Sequence, residues 1–186
     1  MNLLKKQIEK YIPYNKQEEN DKKIMLDYME KYNNLLTREN EVAHFTASAW
    51  AVNKERTKVL MIYHKIYNSW AWTGGHADGD KNLLHTAVRE LKEETGVTNV
   101  NILKNDIFSL EIVCVNGHIK KEKYVSSHLH LNLTFLLEVD EKEELIIKED
   151  ENSGVKWVDI DKVLELTNEE HMKGVYKKLI DKSKMY

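Results

Sequence analysis

The chain has 186 residues, of which 41% are hydrophobic and 32% are charged, and its formal net charge is −3. This length favours one domain with a sizeable core, and the balanced charge argues against a polybasic nucleic-acid or membrane-surface binder. No apolar run approaches the roughly 18 residues that a membrane-spanning helix needs, and the N-terminal residues do not resemble a signal peptide. With a single cysteine, an internal disulfide framework is excluded and a reducing, cytoplasmic location is expected.

Residues 1–36 have the pattern of a helix with one apolar stripe. The stripe recurs at steps of three and four residues and consists of Met25, Tyr28, Met29, Tyr32, Leu35 and Leu36. Such a stripe is normally buried. We therefore expect a helical arm over residues 1–40 that packs on its own domain or on a second subunit, and the second arrangement would give a homodimer.

From His44 onward the sequence changes to strand-like runs around one strongly helical stretch. The first strands are predicted at residues 44–52, 58–64 and 69–73. A helix is predicted over residues 81–95. The pair Asn116-Gly117 then predicts a hairpin with a type I′ turn, made from residues 107–115 and 118–125. Residues 125–139 alternate apolar and polar side chains, which is typical of a strand with one buried face.

The C-terminal part completes a mixed sheet with helices before, within and after it. An acidic loop over residues 140–154 leads to a short strand, and the sequence Thr167 to Glu170 predicts a capping box that begins the last helix. Cys114 lies in an alternating strand and is expected in the buried core. These elements predict an α+β fold.

The helix over residues 81–95 carries the chemistry. Glu90, Glu93 and Glu94 stand three and four residues apart, so their carboxylates share one face, although like charges at this spacing oppose helix formation. Converging carboxylates suit a cation with oxygen ligands, Mg²⁺ or Mn²⁺. Gly74 and Gly75 precede the helix and allow the backbone to approach a ligand or ion closely.

These residues resemble a known motif. Gly75, thirteen residues, and then Arg89-Glu90-Leu91-x-Glu93-Glu94-x-Gly96-Val97 resemble the Nudix box, the signature of the Nudix hydrolase superfamily. The resemblance implies an α/β/α sandwich with a mixed β-sheet over residues 41–186, with the helical arm of residues 1–40 outside the common core. It also implies a Mg²⁺-dependent enzyme that hydrolyses a phosphoanhydride bond in a nucleoside diphosphate linked to another moiety, such as a nucleoside triphosphate or ADP-ribose.

The resemblance also implies roles for the box residues. Glu90 and Glu94 are the expected metal ligands, with Glu93 and the carbonyl of Gly75 as further ligands. Glu93 or Glu90 is the expected general base. Arg89 is expected to be a buried strut that holds a box carboxylate.

One box position departs from the family. The family places a glutamate after five intervening residues, where this chain has Lys81. We expect the neighbouring Asp80 to take over its supporting role if the loop is one residue shorter.

Several residues around the box are candidates for the substrate side. His76, beside the two glycines, is placed to meet a phosphate, and Trp72 is placed to stack on a base, unless Trp72 and Trp70 instead fill the core. Glu151 is a candidate for one further carboxylate from a late loop. His128 and His130 share a strand face, but no cysteine or nearby carboxylate completes a metal-ligand set in the sequence. We therefore expect these two histidines to line the substrate side or to face the solvent.

Two other function classes remain as alternatives. Isopentenyl-diphosphate isomerases share the Nudix fold but need an active-site cysteine, and Cys114 comes well after an intact box. A non-catalytic Nudix-like nucleotide-binding module would usually lose box glutamates that this chain retains. The sequence therefore predicts a hydrolase that acts on a small nucleotide-type substrate and has no nucleic-acid or membrane partner.

Overall fold

The computed structural model describes residues 2–120 and 122–186. Met1 and Lys121, which belong to the predicted arm and the predicted hairpin, lie outside these ranges. The helices are α1 (Asn2–Lys10), α2 (Lys16–Lys31), α3 (Leu83–Thr95), α4 (Val163–Leu166) and α5 (Glu170–Ser183). The strands are β1 (Ala43–Val52), β2 (Lys58–His64), β3 (Ser69–Ala71), β4 (Thr73–His76), β5 (Asn101–Ile102), β6 (Ser109–Val115), β7 (His118–Lys120), β8 (Lys123–Val125), β9 (His128–Glu138) and β10 (Asn152–Asp159).

A mixed sheet forms the centre of the fold. Its strand order is β10-β2-β1-β9-β5, with β3 paired to β2, β4 to β1 and β6 to β9. The long strands β1 and β9 are parallel, with Ala43 opposite Leu129 and Val52 opposite Glu138, whereas the other pairs are antiparallel. The strands β1 and β9 therefore form the centre of the sheet, and the other strands pair at their sides.

Helices cover both faces of the sheet, as the predicted α/β/α sandwich requires. All ten residues of β1 are buried. On one face Ala47 and Ala49 share a core with Ala87 and Leu91 of α3, and this core includes residues of α1 and α2. On the other face Trp50 stacks on Tyr176 of α5 with ring centroids 6.0 Å apart. The predicted α+β class is confirmed.

The arm is two helices, so the prediction of a helix over residues 1–36 is wrong in its extent. Residues 11–15 interrupt it, at Pro13, which has no N–H to continue a helical ladder. Asn15 then caps α2 by accepting a hydrogen bond from the Glu18 N–H at 3.0 Å. Beyond α2, Leu35 is buried in a non-helical segment, whereas Tyr32 is 45% exposed.

The arm packs on its own chain. Met25 and Met29 are buried in the same core as α3, and Glu18 of α2 forms ion pairs with Lys178 and Lys182 of α5 at 3.1 and 3.0 Å. The apolar stripe is therefore largely covered without a second subunit, and it no longer supports a homodimer. A homodimer stays a prediction, which sedimentation of the full-length protein across micromolar concentrations tests.

Three local predictions around the sheet are wrong. The run 107–115 does not form a hairpin with residues 118–125, because β6 pairs along its whole length with β9 and β7 pairs with β8. Strand β9 was expected to have one buried face, but both of its faces are buried over most of its length. On the face that was expected to be polar and exposed, Asn132 and Thr134 hydrogen bond to the buried Glu111. Cys114 is exposed, because the end of β6 extends past the core to the rim of a cleft.

The helix ends differ less from expectation. Gly96 ends α3 in the left-handed conformation, with φ +80°, as a C-terminal glycine does. The helix begins at Leu83 with Asn82 as its cap rather than at Lys81. The predicted capping box at Thr167 is wrong, because its hydroxyl donates to the Val163 carbonyl at 2.8 Å and so closes α4. Within the described ranges, no helix combines the length and the apolar character needed to cross a bilayer.

Candidate active site

The two glycines of β4 bring the backbone against the acidic face of α3. In the antiparallel pairing with β1, Gly74 lies opposite Ser48 and Gly75 opposite Ala47. A Cβ atom on Gly74 would lie 2.6 Å from the Ser48 Oγ, and one on Gly75 would lie 2.4 Å from the Glu90 carboxylate. Both separations are shorter than van der Waals contact, so only glycine fits here without displacing Glu90 or the strand.

Glu94 and Glu90 point at this glycine backbone. Glu94 is 3% exposed and accepts a hydrogen bond from the Gly74 N–H at 2.9 Å. The pKa of Glu94 is raised to about 8, mainly by burial, with smaller contributions from the carboxylates of Glu90 and Glu151 that oppose the lowering effect of the Gly74 hydrogen bond. Burial also raises the pKa of Glu90. The surroundings of both carboxyl groups therefore disfavour their charged form unless a cation binds beside them.

Arg89 and Lys148 lie at the outer side of the acidic face. Arg89 Nη2 is 2.9 Å from Glu90 Oε1, and its Nη1 is 3.7 Å from Glu93 Oε1. Lys148 Nζ lies 3.8 Å from Glu93 Oε2 and 3.0 Å from Glu151 Oε2. The predicted contact of Arg89 with a box carboxylate is present, but the side chain is 38% exposed and not buried.

The late loop folds onto the end of α3. Ile146 N–H donates to the Thr95 carbonyl at 2.8 Å, and Asn152 Nδ2 donates to the Glu94 carbonyl at 3.0 Å. These bonds place Glu151 beside the box, where it lines the same cleft as Glu90 and Glu94. A late-loop carboxylate therefore reaches the box, as the sequence suggested.

The donor set fits a divalent cation with oxygen ligands. Glu90 lies against Gly75 and Glu94 against Gly74, and burial raises the pKa of Glu94 and so disfavours its charged form in the absence of a cation. A bound cation would compensate that charge. Carboxylate and carbonyl oxygens are the ligands that Mg²⁺ and Mn²⁺ prefer.

A cleft of about 710 Å³ opens in front of these carboxylates. Trp72 and His76 line it, and the Trp72 ring also packs edge-on against Tyr176 with centroids 5.4 Å apart. Trp70 lies elsewhere, under the Lys156 ammonium at 4.1 Å from its ring centroid. The exposed Cys114 is at the rim of the cleft.

Asp80 supports the loop before α3. Its Oδ1 accepts the Asn82 N–H at 2.8 Å, and its Oδ2 lies 2.7 Å from His85 Nδ1. The hydrogen bond with His85 lowers the pKa of the Asp80 carboxyl. Lys81 is exposed. The contacts of Asp80 are thus with the start of the helix, and it does not line the cleft.

A cluster of four histidines was not predicted. It consists of His44, His76, His128 and His130, which line the cleft. One ring nitrogen from each of them lies within 4.8 Å of the other three. Burial lowers the pKa of His44, and burial together with the other three imidazoles lowers that of His130 to about 2. The His128-x-His130 spacing was the available signal, but the other two histidines come from distant strands.

A family model of the NUDIX domain matches residues 42–179. The chain belongs to the Nudix hydrolase superfamily, whose members act on phosphoanhydrides. It is 30% identical over 120 residues to the RNA pyrophosphohydrolase of Pelagibacter ubique (strain HTCC1062), over 63% of this chain and 75% of that protein. It is also 30% identical over 105 residues to the asymmetrical bis(5′-nucleosyl)-tetraphosphatase of Rattus norvegicus, over 56% of this chain and 65% of that protein.

Solved structures confirm the Nudix fold. The Ap4A hydrolase of C. elegans, in a binary complex, matches with a TM-score of 0.55 and 17% identity, over 76% of this chain and 98% of that one. The dihydroneopterin triphosphate pyrophosphohydrolase of E. coli matches with a TM-score of 0.55 and 14% identity, over 74% and 94% of the two chains. The residues that resemble the Nudix box lie in β4, in α3 and in the loop between them.

Proposed function

We propose that this Nudix protein is a Mg²⁺- or Mn²⁺-dependent hydrolase that cleaves a phosphoanhydride bond in a nucleoside diphosphate linked to another moiety. The observation that carries the proposal is the pair of carboxylates of Glu90 and Glu94, packed against the Gly74-Gly75 backbone in the cleft. The metal would be held by Glu90, Glu94 and the Gly75 carbonyl, with Glu93 as a further ligand. Bound there, it would neutralise diphosphate charge and lower the pKa of a coordinated water.

The exposure and contacts of Arg89 and Glu93 support a different role for each residue. Arg89 holds Glu90 from the outer side and so acts as a positioning residue for that carboxylate. Glu93 is the most accessible of the three glutamates, with a side chain that is 44% exposed, which suits a group that takes a proton from water and releases it to solvent. We propose Glu93 as the general base, with Glu90 as the second candidate.

The substrate would lie in the cleft with its phosphates towards the box. His76 follows directly on the glycine backbone and is proposed to face a phosphate. Trp72 lines the cleft and offers a ring to a base, since base–aromatic stacking does not depend on sequence. Glu151 is proposed as a late-loop carboxylate that acts beside Glu94, and Asp80 as a support of the loop that carries these groups.

The names of two relatives support a nucleoside polyphosphate as the proposed substrate. One is named an RNA pyrophosphohydrolase and the other a dinucleoside tetraphosphatase, so both names refer to a nucleotide with a chain of phosphates. We propose a small nucleotide in preference to RNA, because the net charge of −3 argues against a polybasic binder of a long polyanion. Such a substrate and the single cysteine favour the cytoplasm.

A substrate panel tests this function. The purified full-length protein is incubated with dinucleoside tetraphosphates, nucleoside triphosphates, ADP-ribose, 5′-triphosphorylated RNA and isopentenyl diphosphate, with Mg²⁺ or with EDTA, and the products are identified by mass. We expect cleavage of a small nucleotide that needs the metal. Isomerised isopentenyl diphosphate without phosphate release would identify an isomerase, which the exposed Cys114 at the cleft makes worth measuring. Binding without turnover would identify a non-catalytic module.

A further inference from the structure

Four histidines from three strands meet beside the cleft. His44 begins the central strand β1, His76 ends β4, and His128 and His130 begin β9. The parallel register of β1 with β9 places His44 opposite His130, and the antiparallel register of β1 with β4 places His76 opposite Thr46. Two strand pairings, between residues far apart in the chain, therefore bring all four imidazoles to one end of the sheet.

The imidazole rings are close enough to share one ion. The centroid of the His44 ring lies 4.9, 4.9 and 5.3 Å from those of His76, His128 and His130. The centroid of the His130 ring lies 4.8 Å from that of His76 and 5.0 Å from that of His128. The Nε2 atoms of His128 and His130 are 3.1 Å apart. Zinc–nitrogen bonds of about 2.0–2.1 Å place tetrahedral ligand nitrogens about 3.4 Å apart. The His128–His130 pair is already at about this separation, and the other nitrogens, which lie within 4.8 Å, would draw together around an ion.

Backbone carbonyls orient two of the rings. His44 Nδ1 lies 2.9 Å from the Asn40 carbonyl, and His128 Nδ1 lies 2.8 Å from the Ser126 carbonyl. A carbonyl oxygen only accepts, so each Nδ1 carries a proton and each Nε2 carries a lone pair. Metal-ligating histidines usually donate their other N–H in this way, which fixes the tautomer and the ring orientation.

His44 has a buried ring nitrogen that a bound cation would satisfy. Its Nε2 is buried and has no hydrogen-bond partner among the described residues. A buried polar atom without a partner destabilises the fold, and native structures seldom keep one without a reason. A cation bound among the four rings would use this lone pair.

We propose that His44, His76, His128 and His130 form a second metal site, for a first-row transition metal such as Zn²⁺. The set contains only imidazole nitrogens, which suit zinc, iron, nickel or copper, whereas the box offers oxygens that suit Mg²⁺. Both sets line the same cleft, so the second ion would add positive charge on the substrate side. The proposal does not depend on the proposed hydrolysis.

Metal binding to the full-length protein, produced without a polyhistidine tag, tests the site. Zn²⁺ is titrated into the chelator-treated protein by calorimetry, and the retained metal is measured by elemental analysis after gel filtration. We expect about one tightly bound equivalent of Zn²⁺, as in other four-ligand protein sites. We expect His44→Gln and His130→Gln to weaken this binding at least about 100-fold, since each removes a ligand. Glu90→Gln should retain it.

The matched control is His171→Gln, which changes an exposed histidine on α5 that is not part of the cluster. Unchanged Zn²⁺ affinity in His44→Gln and His130→Gln, or loss of binding in Glu90→Gln alone, would overturn the proposal.

A second measurement uses only the wild-type protein, in case a cluster variant fails to fold. Imidazole NMR signals are followed as Zn²⁺ is added, and the unfolding temperature is measured with and without the metal. We expect the signals of the four cluster histidines to shift while those of His85 and His171 stay, and we expect a higher unfolding temperature because the ion binds the folded state. Shifts confined to other histidines, or no shift and no stabilisation, would overturn the site.

Discussion

Glu94 and Glu93 are adjacent carboxylates of the same motif, but their surroundings differ. Glu94 is 3% exposed and has a pKa raised to about 8 by burial, whereas the Glu93 side chain is 44% exposed and has both Arg89 and Lys148 nearby. A buried, poorly compensated carboxylate suits a cation ligand. An exposed carboxylate between two cationic side chains suits proton transfer with the solvent.

The first prediction concerns Glu94. Glu94→Gln should lower kcat/KM at least about 100-fold, equivalent to about 2.7 kcal/mol of lost transition-state stabilisation, because a ligand charge is removed. The fold should persist, since the glutamine carbonyl can still accept the Gly74 N–H. Activity is measured with Mg²⁺ and with EDTA, and folding by circular dichroism. Glu165→Gln, a change at an exposed side chain, is the control. Full activity in EDTA, or an unfolded Glu94→Gln, would contradict the assignment.

The second prediction compares Asp80 with Lys81. Asp80→Ala should lower the free energy of unfolding by about 1 kcal/mol, because the Asn82 N–H and His85 lose their acceptor at the start of α3. Lys81→Ala should change it by less than about 0.5 kcal/mol, since the lysine is exposed. Urea unfolding of the two variants gives the ranking. The reverse order would show that the lysine itself is used at this box position.

At the scale of the element, the glycine backbone of β4 packs directly against the acidic side chains of α3. The Cβ that Gly75 lacks would overlap the flexible Glu90 carboxylate, whereas the Cβ that Gly74 lacks would lie 2.7 Å from the rigid Ala47 carbonyl. The two glycines therefore serve different purposes. Gly75 leaves room for the Glu90 carboxylate, and Gly74 allows β4 to pair with β1.

The third prediction follows from this difference. Gly75→Ala should lower activity at least about 10-fold with little loss of stability, because the Glu90 side chain moves out of place. Gly74→Ala should destabilise the fold by about 1–3 kcal/mol through overpacking. Gly174→Ala is the matched control, since its Cβ would meet nothing within 4 Å in the described structure. Gly174→Ala should raise the free energy of unfolding by about 0.5–1 kcal/mol, because alanine is more favourable than glycine within a helix. Equal effects of Gly75→Ala and Gly74→Ala on stability would contradict this division.

At the scale of the molecule, a buried polar network fastens the arm to the domain. Glu18 of α2 is fully buried and pairs with Lys178 and Lys182 of α5, while Lys178 also pairs with Glu111 of β6 at 2.9 Å. Glu111 continues the network by accepting from Asn132 at 3.1 Å. Asn132 lines the cleft, so one continuous set of hydrogen bonds and ion pairs runs from the arm to the floor of the site.

The fourth prediction concerns acid stability. Burial raises the pKa of Glu18, but Lys178, Lys182 and the hydrogen bonds from Tyr11 and the Tyr14 N–H outweigh it and lower the pKa to about 2. A carboxyl with a folded-state pKa below its unfolded value stabilises the fold above the unfolded pKa. This contribution, about 3 kcal/mol from the size of the shift, should disappear as the pH falls from about 4.5 to 2.

The measurement is the free energy of unfolding of the wild type and Glu18→Gln as a function of pH. The variant should be less stable at pH 7 by about 3–5 kcal/mol, because the buried Lys178 and Lys182 lose the negative charge of Glu18, and the difference should shrink in acid. The control, Glu19→Gln, changes the exposed neighbour on the same helix. A difference between the wild type and Glu18→Gln that does not depend on pH would contradict the ionised state of Glu18.

Much of the box could be predicted because its geometry is local. Residues three and four apart share a helix face in any α-helix, so Glu90, Glu93 and Glu94 had to converge once α3 formed. Gly96 could likewise be assigned as the helix end. The arm was less predictable, because the positions of α1 and α2 depend on the parts of the domain against which they pack. Only the tertiary structure shows that α5 provides the ion-pair partners of Glu18.

The amino-acid sequence by itself determined the superfamily, through the resemblance of residues 75–97 to the Nudix box. Short-range spacing and helical periodicity determined the mixed sheet with its helices and the acidic helix behind the two glycines. The tertiary structure alone decided which strands are neighbours. The pairing of β6 with β9 displaced the predicted hairpin and left Cys114 at the rim of the cleft. The parallel pairing of β1 with β9 joined His44 to His128 and His130, because hydrogen bonds between strands act across the sheet and leave no trace in local spacing.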